Sequence, residues 1–201
     1  MRSCHNLSAG FDDPNLVSCA GLIPVMNLAE RAGLLQGGTV PVLKHFPGHG
    51  SVTSDSHQGL PVQPVTQAQL DARDLIPFRA AVAAGAPVVM IGHLNLVQID
   101  PGVPSSLSPA TYRLLRDSLG FDGVAVTDAL DMGAVNPGAP GEEAVRALVA
   151  GADLLLMPRD VAAASARIVA AVQAGTLPVE RLQEAATRVV ALQMWTAELR
   201  A

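Results

Sequence analysis

From Gly38 onward, short apolar runs rich in β-branched residues alternate with longer stretches in which apolar positions recur at helical spacing. That alternation predicts an α/β fold, with βα units around a parallel sheet. The predicted strands are Thr39–Lys44, Ala86–Ile91, Gly123–Thr127 and Ala152–Met157. Each is nearly all apolar, as a strand buried on both faces must be. Thr66–Ala84 carries Leu70, Ile76, Phe78 and Val82 among interleaved charges, and Pro109–Leu119 and Glu142–Ala150 look similar, so these read as amphipathic crossover helices. Two further helices, Val161–Gln173 and Val179 to about Leu199, flank Ala174-Gly175-Thr176-Leu177-Pro178. Thr66 and Ser108 are the expected N-caps, the latter ahead of a first-turn proline, and Gly85 and Gly151 are the expected stops. Before Gly38 the pattern is irregular: Met1–Asn15 is polar and loop-like, and Asn15–Leu35 is assigned to a helix.

Composition narrows the class. The 201 residues are 49% hydrophobic, 15% charged and 3% aromatic, which describes a globular chain with a sizeable core and excludes disordered or fibrous architectures. No run approaches the roughly 18 apolar residues of a membrane span, and the first residues lack the basic-then-apolar order of a secretion signal. The expectation is therefore no membrane partner and a cytoplasmic location, with any export signal lost along with a missing N-terminus. A net charge of −5, with 13 scattered Lys and Arg, argues against a nucleic-acid partner. The two cysteines, Cys4 and Cys19, cannot make a four-ligand site and read as ordinary small residues, and Trp195 reads as packing.

Polar residues gather just after the predicted strands: Lys44, His45 and His49; His93 and Asn95; Asp128 and Asp131; Arg159 and Asp160. In parallel βα folds that edge holds the active site. The densest stretch, Lys44-His45-Phe46-Pro47-Gly48-His49-Gly50 followed by Asp55-Ser56-His57, holds three of the five histidines. A metal site is disfavoured, because His45 and His49 would share a face only in a helix, which Phe46-Pro47-Gly48 forbids. Asp55-Ser56-His57 offers instead a histidine and its orienting carboxylate for acid/base work. Taken alone, the triplet is weak evidence, since an arbitrary Asp-x-His is more often a turn cap beside a solvated histidine. Asp128, next to its strand, is the preferred nucleophile over Asp131, which also suits a helix cap. A structural carboxylate at the strand-to-helix turn is the competing reading of Asp128.

Lys44-His45-Phe46-Pro47-Gly48-His49-Gly50 with Asp55-Ser56-His57 resembles the signature of family 3 glycoside hydrolases, specifically the β-N-acetylglucosaminidase branch. Val126-Thr127-Asp128-Ala129-Leu130-Asp131-Met132 is similar to that family's nucleophile motif, and Gly151-Ala152-Asp153-Leu154-Leu155-Leu156-Met157-Pro158 to its last barrel strand. The resemblance runs in order from about Gly37 to Leu192 and implies a TIM-type (β/α)8 barrel, of which about four C-terminal βα units are present in a single domain truncated at its N-terminus. It implies a retaining glycosidase that removes terminal β-linked N-acetylglucosamine from oligosaccharides or peptidoglycan fragments. Asp128 would attack the anomeric carbon while His57, oriented by Asp55, protonates the leaving oxygen. Lys44 and His45 would bind sugar hydroxyls, His93 would line the pocket, and His49 would shape the turn. No cofactor or metal is expected. A phosphorylase using the same fold and a catalytically incompetent remnant are the alternatives. Open barrel edges imply self-association.

Overall fold

A computed structural model of the chain describes residues 39–52, 54, 56, 58–135 and 138–199. The expected helix at Asn15–Leu35 and both cysteines lie outside the described residues. Five strands are formed: β1 (Val42–Phe46), β2 (Val62–Gln63), β3 (Val88–Ile91), β4 (Asn95–Leu96) and β5 (Val124–Thr127). β1, β3 and β5 make a parallel sheet in that order, while β2 and β4 pair in parallel as a separate two-stranded piece. Leu43, Val89, Ile91 and Ala125 point into the main core, where they meet Leu70, Leu75, Phe78, Leu114 and Leu115 from the helical layer.

Three features depart from expectation. β1 starts and ends later than Thr39–Lys44, because Pro41 has no N–H for the ladder. His45 and Phe46 therefore belong to the strand. The register slips between Leu43 and Phe46, where the Lys44–His45 and Phe46–Pro47 peptides are cis. The fourth expected strand, Ala152–Met157, is reduced to a single bridge between Val126 and Leu154. The Leu156 N–H donates to the Thr127 hydroxyl at 3.0 Å instead of to a strand carbonyl, and Met157 turns the chain away with φ of 45°. Coverage of the sheet on its second face is also partial, since Val42 is 41% exposed and Leu154 37%.

The helices follow local sequence more closely: α1 (Gln67–Gln69), α2 (Ile76–Ala83), α3 (Pro109–Arg113), α4 (Glu142–Ala150), α5 (Val161–Gln173) and α6 (Val179–Glu198). Thr66 opens α1 with a reciprocal capping box to Gln69, and Ser108 accepts the Thr111 N–H to open α3. The long helix expected over Thr66–Ala84 is interrupted by a wide π-type turn at Leu70–Asp74. Pro77 supplies the reason, because its nitrogen has no hydrogen for the preceding turn and its ring crowds the carbonyl there. A second wide turn, Leu114–Ser118, follows α3. Gly151 ends α4 with φ of 132°, and a Cβ there would lie 2.8 Å from Cβ of Tyr112, so both backbone and packing require glycine.

The segment after α4 is tied down by charge. Asp153, whose side chain is fully buried, accepts from the Ala125 N–H at 2.9 Å and Arg116 at 2.6 Å through Oδ2, and from Arg181 at 2.5 Å and Arg188 at 3.3 Å through Oδ1. Among the described residues no helix is long and apolar enough to cross a membrane. Removing a charge whose buried partners remain is costly. Asp153→Asn is expected to lower stability by about 3–5 kcal/mol in urea unfolding, against about 1 kcal/mol for Asp160→Ala, which removes only the α5 cap bond to the Ala163 N–H. An unchanged midpoint for Asp153→Asn would contradict this account.

Candidate active site

The three principal strands bring their following residues to one edge. Lys44 and His45 lie just before the last residue of β1, His93 follows β3 by two residues, and Asp128 follows β5 directly. The Asp128 N–H donates to the Ile91 carbonyl at 2.8 Å, which fixes the carboxylate beside the end of β3. One oxygen, Oδ1, accepts the Ala129 N–H at 2.9 Å; the other, Oδ2, lies 3.6 Å from Nε2 of His45. One oxygen of Asp128 is thus bonded to backbone and the other faces the imidazole. Lys44 is exposed beside it.

His49 opens a short helical turn at His49–Ser51, its ring 5.8 Å from that of His45. Gly48 allows this turn: its φ is 132°, and a Cβ would lie 2.8 Å from Cβ of Asp74. Burial holds the His45 imidazole below its ordinary pKa, with Lys44 adding to the effect and Asp128 opposing it. His45 is therefore neutral at neutral pH.

His93, expected to line the pocket, is 0% exposed and has both ring nitrogens committed to the protein. Nδ1 lies 2.6 Å from the Ser106 hydroxyl, and Nε2 lies 2.9 Å from the Ala129 carbonyl. Burial pushes its pKa down, against the Ala129 carbonyl bond and Asp128, which push it up. The sequence reading missed Ser106, a hydroxyl just ahead of the α3 cap. Its adjacency to Ser105 in an otherwise apolar and proline-rich segment was the available signal.

Other strand-end residues serve the framework. Asn95 Oδ1 accepts the Gly102 N–H at 2.8 Å, and Asp160 caps α5. Asp131 is exposed and begins no helix, since α4 starts at Glu142 with Gly141 before it. Asp55 and His57 lie outside the described residues. Ser56 between them is buried, and its carbonyl accepts the Ala134 N–H at 3.1 Å, so the intervening residue is anchored to the segment that follows Asp128. A cleft of about 510 Å³ lined by Pro87, Phe121, Gly123 and Trp195 sits at the opposite ends of β3 and β5, away from these groups. Among the described residues no cluster of three His, Cys, Asp or Glu side chains is arranged to hold a metal ion.

Residues 12–192 match the family described as Glycosyl hydrolase family 3 N terminal domain. The chain belongs to this family. The match starts further toward the N-terminus than the motifs from Gly37 to Leu192, and it bears out the resemblance they carried. This family 3 chain is 36% identical over 195 residues to the Beta-hexosaminidase LpqI of Mycobacterium tuberculosis, covering 92% of this chain and 48% of that protein. It is 41% identical over 128 residues to a Beta-hexosaminidase of Nitrosospira multiformis, covering 63% of this chain and 36% of that one. Among solved structures, a glycoside hydrolase family 3 beta-N-acetylglucosaminidase from Paenibacillus sp. superposes with a TM-score of 0.78 at 39% identity, over 85% of this chain and 33% of that one. The family 3 chain therefore spans about half the length, or less, of these relatives. Its parallel strands and flanking helices fit the barrel-like architecture of the family's N-terminal domain.

The two lowered imidazoles give a stability signature. The unfolded chain takes up these protons near the ordinary value of 6.5, the folded chain only at lower pH. Between those values the unfolded state binds more protons, so stability is complete above about pH 6.5 and declines as pH falls below it. Urea unfolding should give a lower midpoint at about pH 5.5 than at about pH 7.5. Imidazole NMR should find His93 still neutral where a free histidine is half protonated. Titration of His93 at the ordinary value would refute the assignment.

Proposed function

We propose that this chain carries the reacting groups of a retaining glycosidase acting on terminal β-linked N-acetylglucosamine, with Asp128 as nucleophile. The observation that carries the proposal is the division of labour on Asp128: Oδ1 is occupied by the Ala129 N–H, while Oδ2 faces a neutral His45 next to Lys44. A neutral neighbour leaves the negative charge on Oδ2 largely uncompensated and available for attack. The names of the relatives, beta-hexosaminidases and a beta-N-acetylglucosaminidase, support the same sugar class. We also read the βα units as the C-terminal part of a (β/α)8 barrel, on the parallel strand order and the clustering of reactive groups at the strands' C-terminal ends.

In the first step Oδ2 bonds to the anomeric carbon as the glycosidic C–O bond breaks, and His57 gives its proton to the departing oxygen. In the second, water bonds to the same carbon, His57 takes the water's proton, and the Asp128 carboxylate leaves. In this reading Asp55 orients His57, as the family resemblance of the Asp55-Ser56-His57 triplet implies; Ser56 itself is held by the Ala134 N–H, in the segment that follows Asp128. Lys44 and His45 donate to sugar hydroxyls.

Hydrolysis of 4-nitrophenyl N-acetyl-β-glucosaminide tests the assignment. Asp128→Asn should lower turnover on the order of a thousandfold. His57→Ala should slow substrates with poor leaving groups far more than those with good ones, since good ones need little protonation. Full activity in Asp128→Asn, or an equal loss for all leaving groups in His57→Ala, would overturn the respective role.

A further inference from the structure

A set of hydrogen bonds, buried from Tyr112 to Ser106 and His93 and part-buried at Ala129, ends on the Asp128 carboxylate. The Tyr112 hydroxyl donates to the Ser106 carbonyl at 3.0 Å. The Ser106 hydroxyl meets Nδ1 of His93 at 2.6 Å, Nε2 of His93 meets the Ala129 carbonyl at 2.9 Å, and the Ala129 N–H donates to Asp128 Oδ1 at 2.9 Å. Chemistry fixes the directions. A carbonyl only accepts, so Nε2 carries the hydrogen. In a neutral ring Nδ1 is then an acceptor, and the Ser106 hydroxyl must donate to it. Burial, which lowers the His93 pKa, keeps the ring in that neutral form.

The neighbouring serine clamps the backbone around the same histidine. The Ser105 hydroxyl donates to the Gly92 carbonyl at 2.7 Å and accepts the Leu94 N–H at 3.0 Å. Ser105, Ser106 and His93 are all 0% exposed. A buried ring held on both nitrogens and on both flanking peptides has one available orientation, and so does the Ala129 carbonyl it grips.

We infer that Ser106 and His93 are positioning residues for the glycosidase reaction, a buried relay that fixes Ala129 so that its N–H holds Oδ1 of Asp128 and leaves Oδ2 as the attacking atom. This inference rests on the reading of Asp128 as nucleophile. It assigns His93 to the support of the carboxylate, because neither ring nitrogen is left for a sugar hydroxyl. Ser106→Ala removes the hydrogen that sets the ring tautomer, and His93→Phe removes the grip on Ala129. Ser106→Thr retains a hydroxyl.

Two measurements test the relay. In the unaltered chain, nitrogen NMR of His93 should show hydrogen on Nε2 and not on Nδ1; the opposite tautomer would overturn the inference without any variant. In the variants, the Ala129 amide should exchange faster with solvent in Ser106→Ala and His93→Phe than in the parent and Ser106→Thr. kcat for the chromogenic N-acetyl-β-glucosaminide should fall roughly ten- to a hundredfold in the first two, with KM changed by less than about twofold, and should recover in Ser106→Thr. An unchanged Ala129 amide, or a loss carried by KM alone, would overturn the inference. Asp128→Asn separates the two readings: if it retains turnover, the nucleophile assignment fails, whereas the amide and tautomer measurements judge the relay directly.

Discussion

The described fold depends on one buried carboxylate. Asp153 joins the Ala125 N–H of β5 to Arg116 behind α3 and to Arg181 and Arg188 of α6, so a single side chain ties a strand, a turn and the C-terminal helix together. A lone charge in such a place would be prohibitively desolvated; it persists because three guanidinium groups and a backbone N–H surround it. The excess of positive charge is felt in return: burial, with Arg188 and Arg181 adding to it, pulls Arg116 below its usual range, and Asp153 opposes the shift. Backbone carbonyls share the surplus, since Arg116 also donates to the Phe121 and Gly123 carbonyls and Arg181 to those of Leu148 and Ala152.

Anchoring at Asp153 has consequences at the far end of β5. It sets the segment Ala152–Leu156 against β5, where the Thr127 hydroxyl receives the Leu156 N–H and the Leu130 N–H reaches the Leu156 carbonyl at 2.9 Å. Asp128 lies between those two contacts, so the backbone that presents it is held on both sides. Gly151, immediately before this segment, packs against Tyr112, whose hydroxyl reaches Ser106. The packed framework and the polar chain leading to Asp128 thus share neighbours, and preorganisation of the carboxylate follows from the way the layer of helices closes over the sheet.

The histidines illustrate how environment divides one residue type among tasks. His93 is sealed and neutral and serves the backbone. His45 is half-buried and neutral, close to Oδ2 of Asp128 and to exposed Lys44. The motif that contains His45 and His49 has the composition of a metal site, but Pro47 and Gly48 fold it into a turn that sets the rings edge to face at 5.8 Å.

Much of this was legible in the sequence. α4 and α5 begin and end where periodicity and stop signals placed them, since helix spacing and capping act within a few residues. The parallel strand type, the edge that gathers Lys44, His45, His93 and Asp128, and the family motifs were also readable from residue order. Other features required the folded chain. The two-residue strands β2 and β4 are too short for any alternation, and the break before α2 turns on one proline. The meeting of the Leu156 N–H with the Thr127 hydroxyl joins residues 29 positions apart. Sequence determined which groups stand at the strand ends, because local pattern sets where elements stop. Tertiary structure decided that Asp153 would gather three arginines, that His93 would be enclosed, and which oxygen of Asp128 faces His45, because burial and choice of hydrogen-bond partner arise from contacts between segments distant in the chain.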